Sequence, residues 1–325
     1  MKSLCLEKTG SLKLKNTPVP EILPESGQDE LLLKVTHCAV CRTDAKMWKM
    51  GHRDLVLPRV LGHEISGYIE KSGARFVLWP GDSCGTCVQC KSGAENLCRY
   101  MKITGFNNNG GFAEYVAVKK RNLIPIPDAL PGKVACLAEP LACTINAAAQ
   151  ADVMPGDATL IFGAGPVGLM AALGVKEKGA TPFIIEINSD KLKRSEEFRK
   201  KTGIKADIES KRSDFDIIIN AAPSIETFLS GINRLNKGGR FCIFSGFTNC
   251  TAVPADLLNE VHYRQLKISG AYGCTRRNMK EAVVILLKYK EEFESIIDCC
   301  IGLEQVSLAI QKILAGEALK FVVKL

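Results

Sequence analysis

The sequence predicts an α/β protein with two parts, a β-rich part and a doubly wound parallel sheet. Three features predict it. Between about 158 and 272, short apolar strands alternate with helix-compatible segments, the pattern of βαβ units. The first of those strands runs straight into a glycine-rich turn. Before about 130, strands such as LLLKVTHC (31–38) and ISGYIE (65–70) are separated by Gly and Pro turns.

In chain order, ATLIFG (158–163) reads as a buried strand and PVGLMAALGVKEKG (166–179) as the helix after it. PFIIEI (182–187) is the next strand. SDKLKRSEEFRKK (189–201) reads as one exposed amphipathic helix with a Ser or Asp start. DFDIIINAA (214–222), GRFCIFSG (239–246) and LKISGAYG (266–273) repeat the strand pattern. The end, LEQVSLAIQKILAGEALKFVVKL (303–325), reads as a helix, a Gly stop and a last strand.

Composition bounds the function. The 325 residues suffice for two domains, and 46% hydrophobic with 24% charged is ordinary for a globular chain. Apolar runs fall far short of a membrane span. MKSLCLEKTG at the start has no apolar signal region, so a cytoplasmic location and no membrane partner are expected. The net charge of +8 comes from scattered Lys and Arg with no interleaved aromatics. That reads as a solvated surface and argues against a nucleic-acid partner. Fourteen cysteines in a chain without a secretion signal point to metal before disulfides.

Three constellations carry chemistry. ATLIF runs into Gly163, Ala164, Gly165, Pro166, Val167 and Gly168, a G-x-G-x-x-G turn between strand and helix. Such glycines permit close approach to a pyrophosphate, and the helix start supplies free N–H groups to the anion. Glu186 ends the next strand. A carboxylate there accepts from ribose hydroxyls and repels a 2′-phosphate, so NAD is favoured over NADP, although Lys191 lies nearby. The second constellation is Cys84, Cys87, Cys90 and Cys98, four thiols in a Gly-rich loop. Four protein ligands suit a closed, structural zinc, with an iron–sulfur cluster as the rival. The third gathers Cys41, His63, Glu64 and Glu139. One Cys, one His and one or two carboxylates make a zinc set with room for water or alcohol. The hydroxyl of Thr43 is placed to carry the substrate proton away.

Together CRTD (41–44), LGHEISG (61–67), CGTCVQCKSGAENLC (84–98), GGFAEY (110–115), AEPLAC (138–143) and GAGPVG (163–168) resemble the zinc-containing medium-chain dehydrogenase/reductase family. The likeness is nearest its sorbitol and threonine dehydrogenase branch. It implies a GroES-like catalytic domain formed by 1–135 and 291–325, with a zinc lobe at 84–98. A Rossmann domain at 136–290 would be inserted between. It also implies two zinc ions per chain, NAD, and a small-molecule alcohol or ketone as partner. The resemblance places Cys41, His63 and Glu64 near the catalytic zinc. Glu139 then binds directly or through water, Thr43 relays the proton, and the four lobe cysteines hold the structural ion. Glu186 and Lys191 match ribose-side positions. Phe244, Ser245, Gly246, Ala271 and Tyr272 match loops along the nicotinamide. A homodimer or homotetramer is implied as well.

Three departures stand out. Lys46 occupies a position where relatives often carry a relay His. The stretches from Gly73 to Cys84 and from Gly203 to Asp214 are short. They motivate an alternative: a zinc-stabilised binding or structural protein of the same fold that has lost catalysis.

Overall fold

A computed structural model describes residues 1–22, 29–248 and 251–325. It divides into two compact units. Met1–Ala142 with Cys274–Leu325 form the first, and Cys143–Gly273 the second.

In the first unit a seven-stranded sheet runs in the order Leu123–Pro125, Arg75–Leu78, Glu64–Tyr68, Glu30–Ala39, Lys320–Lys324, Ile297–Ile301. Tyr115–Lys119 also pairs with Glu30–Ala39. The register of Glu30–Ala39 aligns its two neighbours in the sheet. Ala39 faces Glu64 on one neighbouring strand and Val322 on the other. The chain's last strand is thereby locked beside an early one. Leu33, Val35, Cys38, Ile65, Phe112 and Val323 are buried around these strands. Burying each of the large side chains contributes about 1.5–3 kcal/mol, before the opposing entropy cost of ordering the chain.

The second unit is a six-stranded, all-parallel sheet. Its order is Lys205–Asp207, Thr181–Ile185, Ala158–Phe162, Phe215–Asn220, Leu235–Ile243, Lys267–Gly270. Taken in chain order that is 3-2-1-4-5-6, so strand order reverses between Ala158–Phe162 and Phe215–Asn220. Ligands of such sheets bind beyond the carboxyl ends of the strands at that reversal. Leu160, Phe162, Ile218, Phe228 and Phe241 form its core. The rings of Phe228 and Phe241 meet edge to face, with centroids 5.1 Å apart.

Two expectations need correction. The segment 189–201 is not one helix but two, Ser189–Arg194 and Glu196–Thr202. Ser195 divides them. Its Oγ donates to the Leu192 carbonyl at 3.0 Å, and Arg199 Nη2 donates to the same carbonyl at 2.9 Å. Side chains thus satisfy a carbonyl at the break between the helices. The unit boundaries also differ from 136–290. The first boundary falls inside the helix Ala138–Gln150, and the first unit resumes at Cys274. The helix Arg276–Lys288 contacts Gly132–Ala135 and Leu123–Pro125 of the first unit, and the Trp79 indole donates to the Cys274 carbonyl at 2.8 Å. Among the described residues, no helix is long and apolar enough to cross a membrane.

Candidate metal centres and cofactor turn

The first centre grows from a helix start. Cys41 caps the helix Arg42–Met50 with both its side chain and its backbone. Its Sγ accepts from Thr43 N at 3.4 Å, and its N–H donates to Asp44 Oδ2 at 2.9 Å. Fully buried Asp44 also reaches the next strand. Its Oδ1 accepts from Gly62 N at 3.2 Å and lies 3.4 Å from His63 Nδ1. Gly62 has φ +90°, and a Cβ there would lie 2.7 Å from Cys38 Sγ. Only glycine lets the chain turn here and deliver His63 and Glu64 in succession.

The result is a compact donor set. The ligand atoms of Cys41, His63 and Glu64 all lie within 4.8 Å of one another. His63 and Glu64 are buried and Cys41 half-buried. His63 Nδ1, although near Asp44, is a buried nitrogen without hydrogen-bond geometry to any described group. Burial disfavours a charged His63 ring, but Asp44 and Cys41 outweigh it and raise its pKa well above the usual value. A soft thiolate, an imidazole with an unsatisfied nitrogen and a carboxylate fit a divalent zinc, which would take the place of that proton. Asp44, itself held by the Cys41 and Gly62 N–H groups, stands 3.4 Å from that nitrogen as the nearest outer carboxylate.

Glu64 is not alone. The Lys320 ammonium donates to both of its oxygens, at 2.9 and 2.8 Å, and to the Val40 carbonyl at 3.4 Å. Lys320 is 3% exposed and Glu64 fully buried. Burial works against the Lys320 charge, yet Glu64 raises its pKa beyond the ordinary lysine range. Glu139 stands outside the three-residue group. Its carboxylate lies within 4.8 Å of Cys274. Thr43 is half-buried in the first turn after Cys41.

The four-cysteine lobe is the second centre. Cys84 Sγ lies 3.9 Å from Cys90 Sγ, and Cys87 Sγ lies 3.5 Å from Cys90 Sγ and 3.9 Å from Cys98 Sγ. Bonds of about 2.3 Å at tetrahedral angles put sulfurs roughly 3.8 Å apart, so the spacing fits zinc. Backbone N–H groups already turn toward the sulfurs. Cys87 N donates to Cys84 Sγ at 3.4 Å and Cys84 N to Cys98 Sγ at 3.3 Å. The Thr86 backbone and hydroxyl, with the Cys87 N–H, pull Cys84 down to about 6. Desolvation and the neighbouring Cys87 thiol push Cys90 up to about 11. The Cys84 thiolate forms readily, and Cys90 resists without a cation to share.

In the second unit the strand Ala158–Phe162 enters the glycine turn. Gly163 has φ +107°, and a Cβ on Gly168 would lie 1.9 Å from the Gly163 carbonyl oxygen. A Cβ on Gly165 would meet nothing within 4 Å, so the turn leaves open space beside bare backbone. The helix Pro166–Glu177 starts there with no side-chain cap, its Pro at N1. Uncapped N–H groups beside open space fit a pyrophosphate. Glu186 is buried, and its oxygens accept from Ala164 N and Asn188 N, both at 2.9 Å. It therefore ties the turn to the second strand. Lys191 N donates to Asn188 Oδ1, in the first turn of the next helix. Phe244, Ser245, Gly246, Ala271 and Tyr272 follow the carboxyl ends of the last two strands. Ser245 N donates to Asn220 O at 2.8 Å and Ala271 N to Ile243 O at 3.0 Å.

The alcohol dehydrogenase GroES-like domain family matches residues 27–128. The chain is 32% identical over 306 residues to D-altritol 5-dehydrogenase of Agrobacterium fabrum, covering 88% of each protein. The chain belongs to the zinc-containing medium-chain dehydrogenase/reductase family. As a member, it is a zinc-dependent alcohol oxidoreductase. The dehydrogenase is also 29% identical to L-threonine 3-dehydrogenase of Rhizobium johnstonii over 291 residues, 81% of this chain and 80% of that one. A solved zinc-binding dehydrogenase from Sinorhizobium meliloti 1021, bound to NADP, superposes with TM-score 0.89. It is 25% identical and covers 100% of this chain and 99% of that one. Sequence reasoning missed Lys320 of this dehydrogenase. The one available signal was a lysine inside the apolar run ALKFVVKL.

Proposed function

We propose that this dehydrogenase interconverts a secondary alcohol and its ketone with NAD(H), using two zinc ions per chain. The observation that carries the reading is the buried donor set of Cys41, His63 and Glu64, fixed from outside by Asp44 and Lys320. When bound, the ion supplies a Lewis acid for the substrate oxygen and the dinucleotide a hydride acceptor. Cys41, His63 and Glu64 hold that ion, and Glu139 is its further carboxylate, directly or through water. Asp44 holds the His63 ring in place. Lys320 offsets the Glu64 charge, so the donor set would pass less negative charge to a bound ion. Thr43 takes the substrate hydroxyl proton at its Oγ1 and passes it outward. Cys84, Cys87, Cys90 and Cys98 hold the other ion, with no position left for substrate.

Glu186 supports NAD over NADP, because a buried carboxylate beside the turn repels a 2′-phosphate. Gly163, Gly165, Pro166, Val167 and Gly168 cradle the pyrophosphate. Lys191 takes the ribose side, and Phe244, Ser245, Gly246, Ala271 and Tyr272 the nicotinamide side. The relatives' names support a polyol or an amino alcohol as substrate, with a hydroxyacyl compound as a further candidate class. Clustered thiolates suit a reducing compartment, so we place the protein in the cytoplasm, as a dimer or tetramer. The test is metal-replete protein with NAD and a panel of secondary alcohols. NADH formation is expected, lowered by orders of magnitude in Cys41→Ser and Glu139→Ala. Absence of both NAD binding and hydride transfer would overturn the reading.

A further inference from the structure

Among the described residues, one charge near the first centre has no counterpart. Lys46 lies on the helix Arg42–Met50, three residues after Thr43 and four after Arg42, and so shares a helix face with both. It is half-buried, and its side chain makes no hydrogen bond or ion pair to any described residue. Burial, then Arg42, push its pKa below the usual lysine value, and only Cys41 pulls the other way.

The neighbourhood supplies no acid for it. His52 comes directly after Gly51, which ends the helix that carries Lys46. The rings of His52 and His63 both stand edge-on to Phe106, with centroids 5.4 and 5.3 Å away. Asp54, the carboxylate closest to His52, is shared with it at 3.7 Å and with Arg53 at 3.4 Å. Asp44 and Glu64 are committed to Cys41, Gly62 and Lys320. Among the described residues the half-buried Lys46, on the helix that Cys41 caps, thus stays unmatched, although partly desolvated charges are normally paired.

We propose that Lys46 is a specificity residue that pairs with an anionic group, carboxylate or phosphate, carried by the substrate a few bonds from the reacting carbinol. This inference rests on the alcohol dehydrogenase reading and narrows its substrate to an anionic secondary alcohol. A charge-assisted contact with a partly desolvated lysine discriminates by about tenfold or more over an uncharged isostere.

The test compares matched pairs on metal-replete protein with NAD. One pair is 3-hydroxybutyrate and 3-hydroxybutanamide, and the other sorbitol 6-phosphate and sorbitol. The ratio of kcat/KM, anion over neutral, is expected to be at least about tenfold in one pair or both. Preference in the first pair alone marks a carboxylate substrate, and in the second a phosphate. In Lys46→Met that ratio falls toward unity, mainly through KM of the anion, and Lys46→Arg keeps it. A ratio near unity in both pairs, with neutral alcohols oxidised, overturns the inference and leaves the dehydrogenase reading standing. The same holds if Lys46→Met retains the preference. No hydride transfer from any of the four compounds overturns the inference, and the dehydrogenase reading falls with it only where NAD binding is absent too.

Discussion

At the scale of single residues, the Lys320–Glu64 pair is the feature with the largest consequence. Both groups are out of water, and removing one leaves the other's charge buried without a partner. Lys320→Met is expected to cost about 3–5 kcal/mol in urea unfolding. The pH dependence has a definite sign. A lysine whose pKa is raised on folding contributes fully below its unfolded value of 10.5 and loses that contribution only as pH climbs through the folded value. The gap between wild type and Lys320→Met is therefore expected to narrow as pH rises into alkali. A gap below about 1 kcal/mol, the level of an exposed pair, would show that the pair is solvated. Sequence reasoning found Cys41, His63 and Glu64 because metal ligands have few other reasons to occur in that pattern. It did not find Lys320, which is 256 residues from Glu64. Only strand pairing brings the two together, and no local periodicity reports such a pairing.

At the scale of elements, the sequence is most legible where a backbone requirement allows one residue type. The turn from Gly163 to Gly168 is such a place. A Cβ at Gly168 would lie 1.9 Å from the Gly163 carbonyl oxygen, a backbone atom that has no free direction to move. Gly168→Ala is expected to open the turn and weaken NAD binding by at least tenfold, measured by fluorescence titration, with the zinc content unchanged. Unchanged NAD affinity would show that the turn does not cradle the cofactor. Where an element boundary depends on side-chain competition, the sequence is less legible. Ser195 and Arg199 together satisfy the Leu192 carbonyl and break the helical run, although its amphipathic pattern is continuous. The helix Arg276–Lys288 misled for a related reason. Its apolar face announces burial but not which sheet or helix covers it.

At the scale of the whole molecule, two centres and a cofactor turn share one chain, and their sequence signals differ in kind. The lobe of Cys84, Cys87, Cys90 and Cys98 is local, closed within fifteen residues, and readable from spacing alone. The other centre draws on a helix start, the strand after Gly62 and the final strand, so it exists only once the first unit has folded. On the proposed reading, that contrast separates a structural ion from a reactive one. The most direct measurement is zinc content per chain, by mass spectrometry of metals, in wild type, Cys41→Ser and Cys98→Ser. Two ions in the wild type are expected. Cys41→Ser should retain one ion and its fold while losing NADH formation, and Cys98→Ser should lose an ion together with thermal stability. A wild type that binds a single ion, held by the four-cysteine lobe and unaffected by Cys41→Ser, would contradict the account.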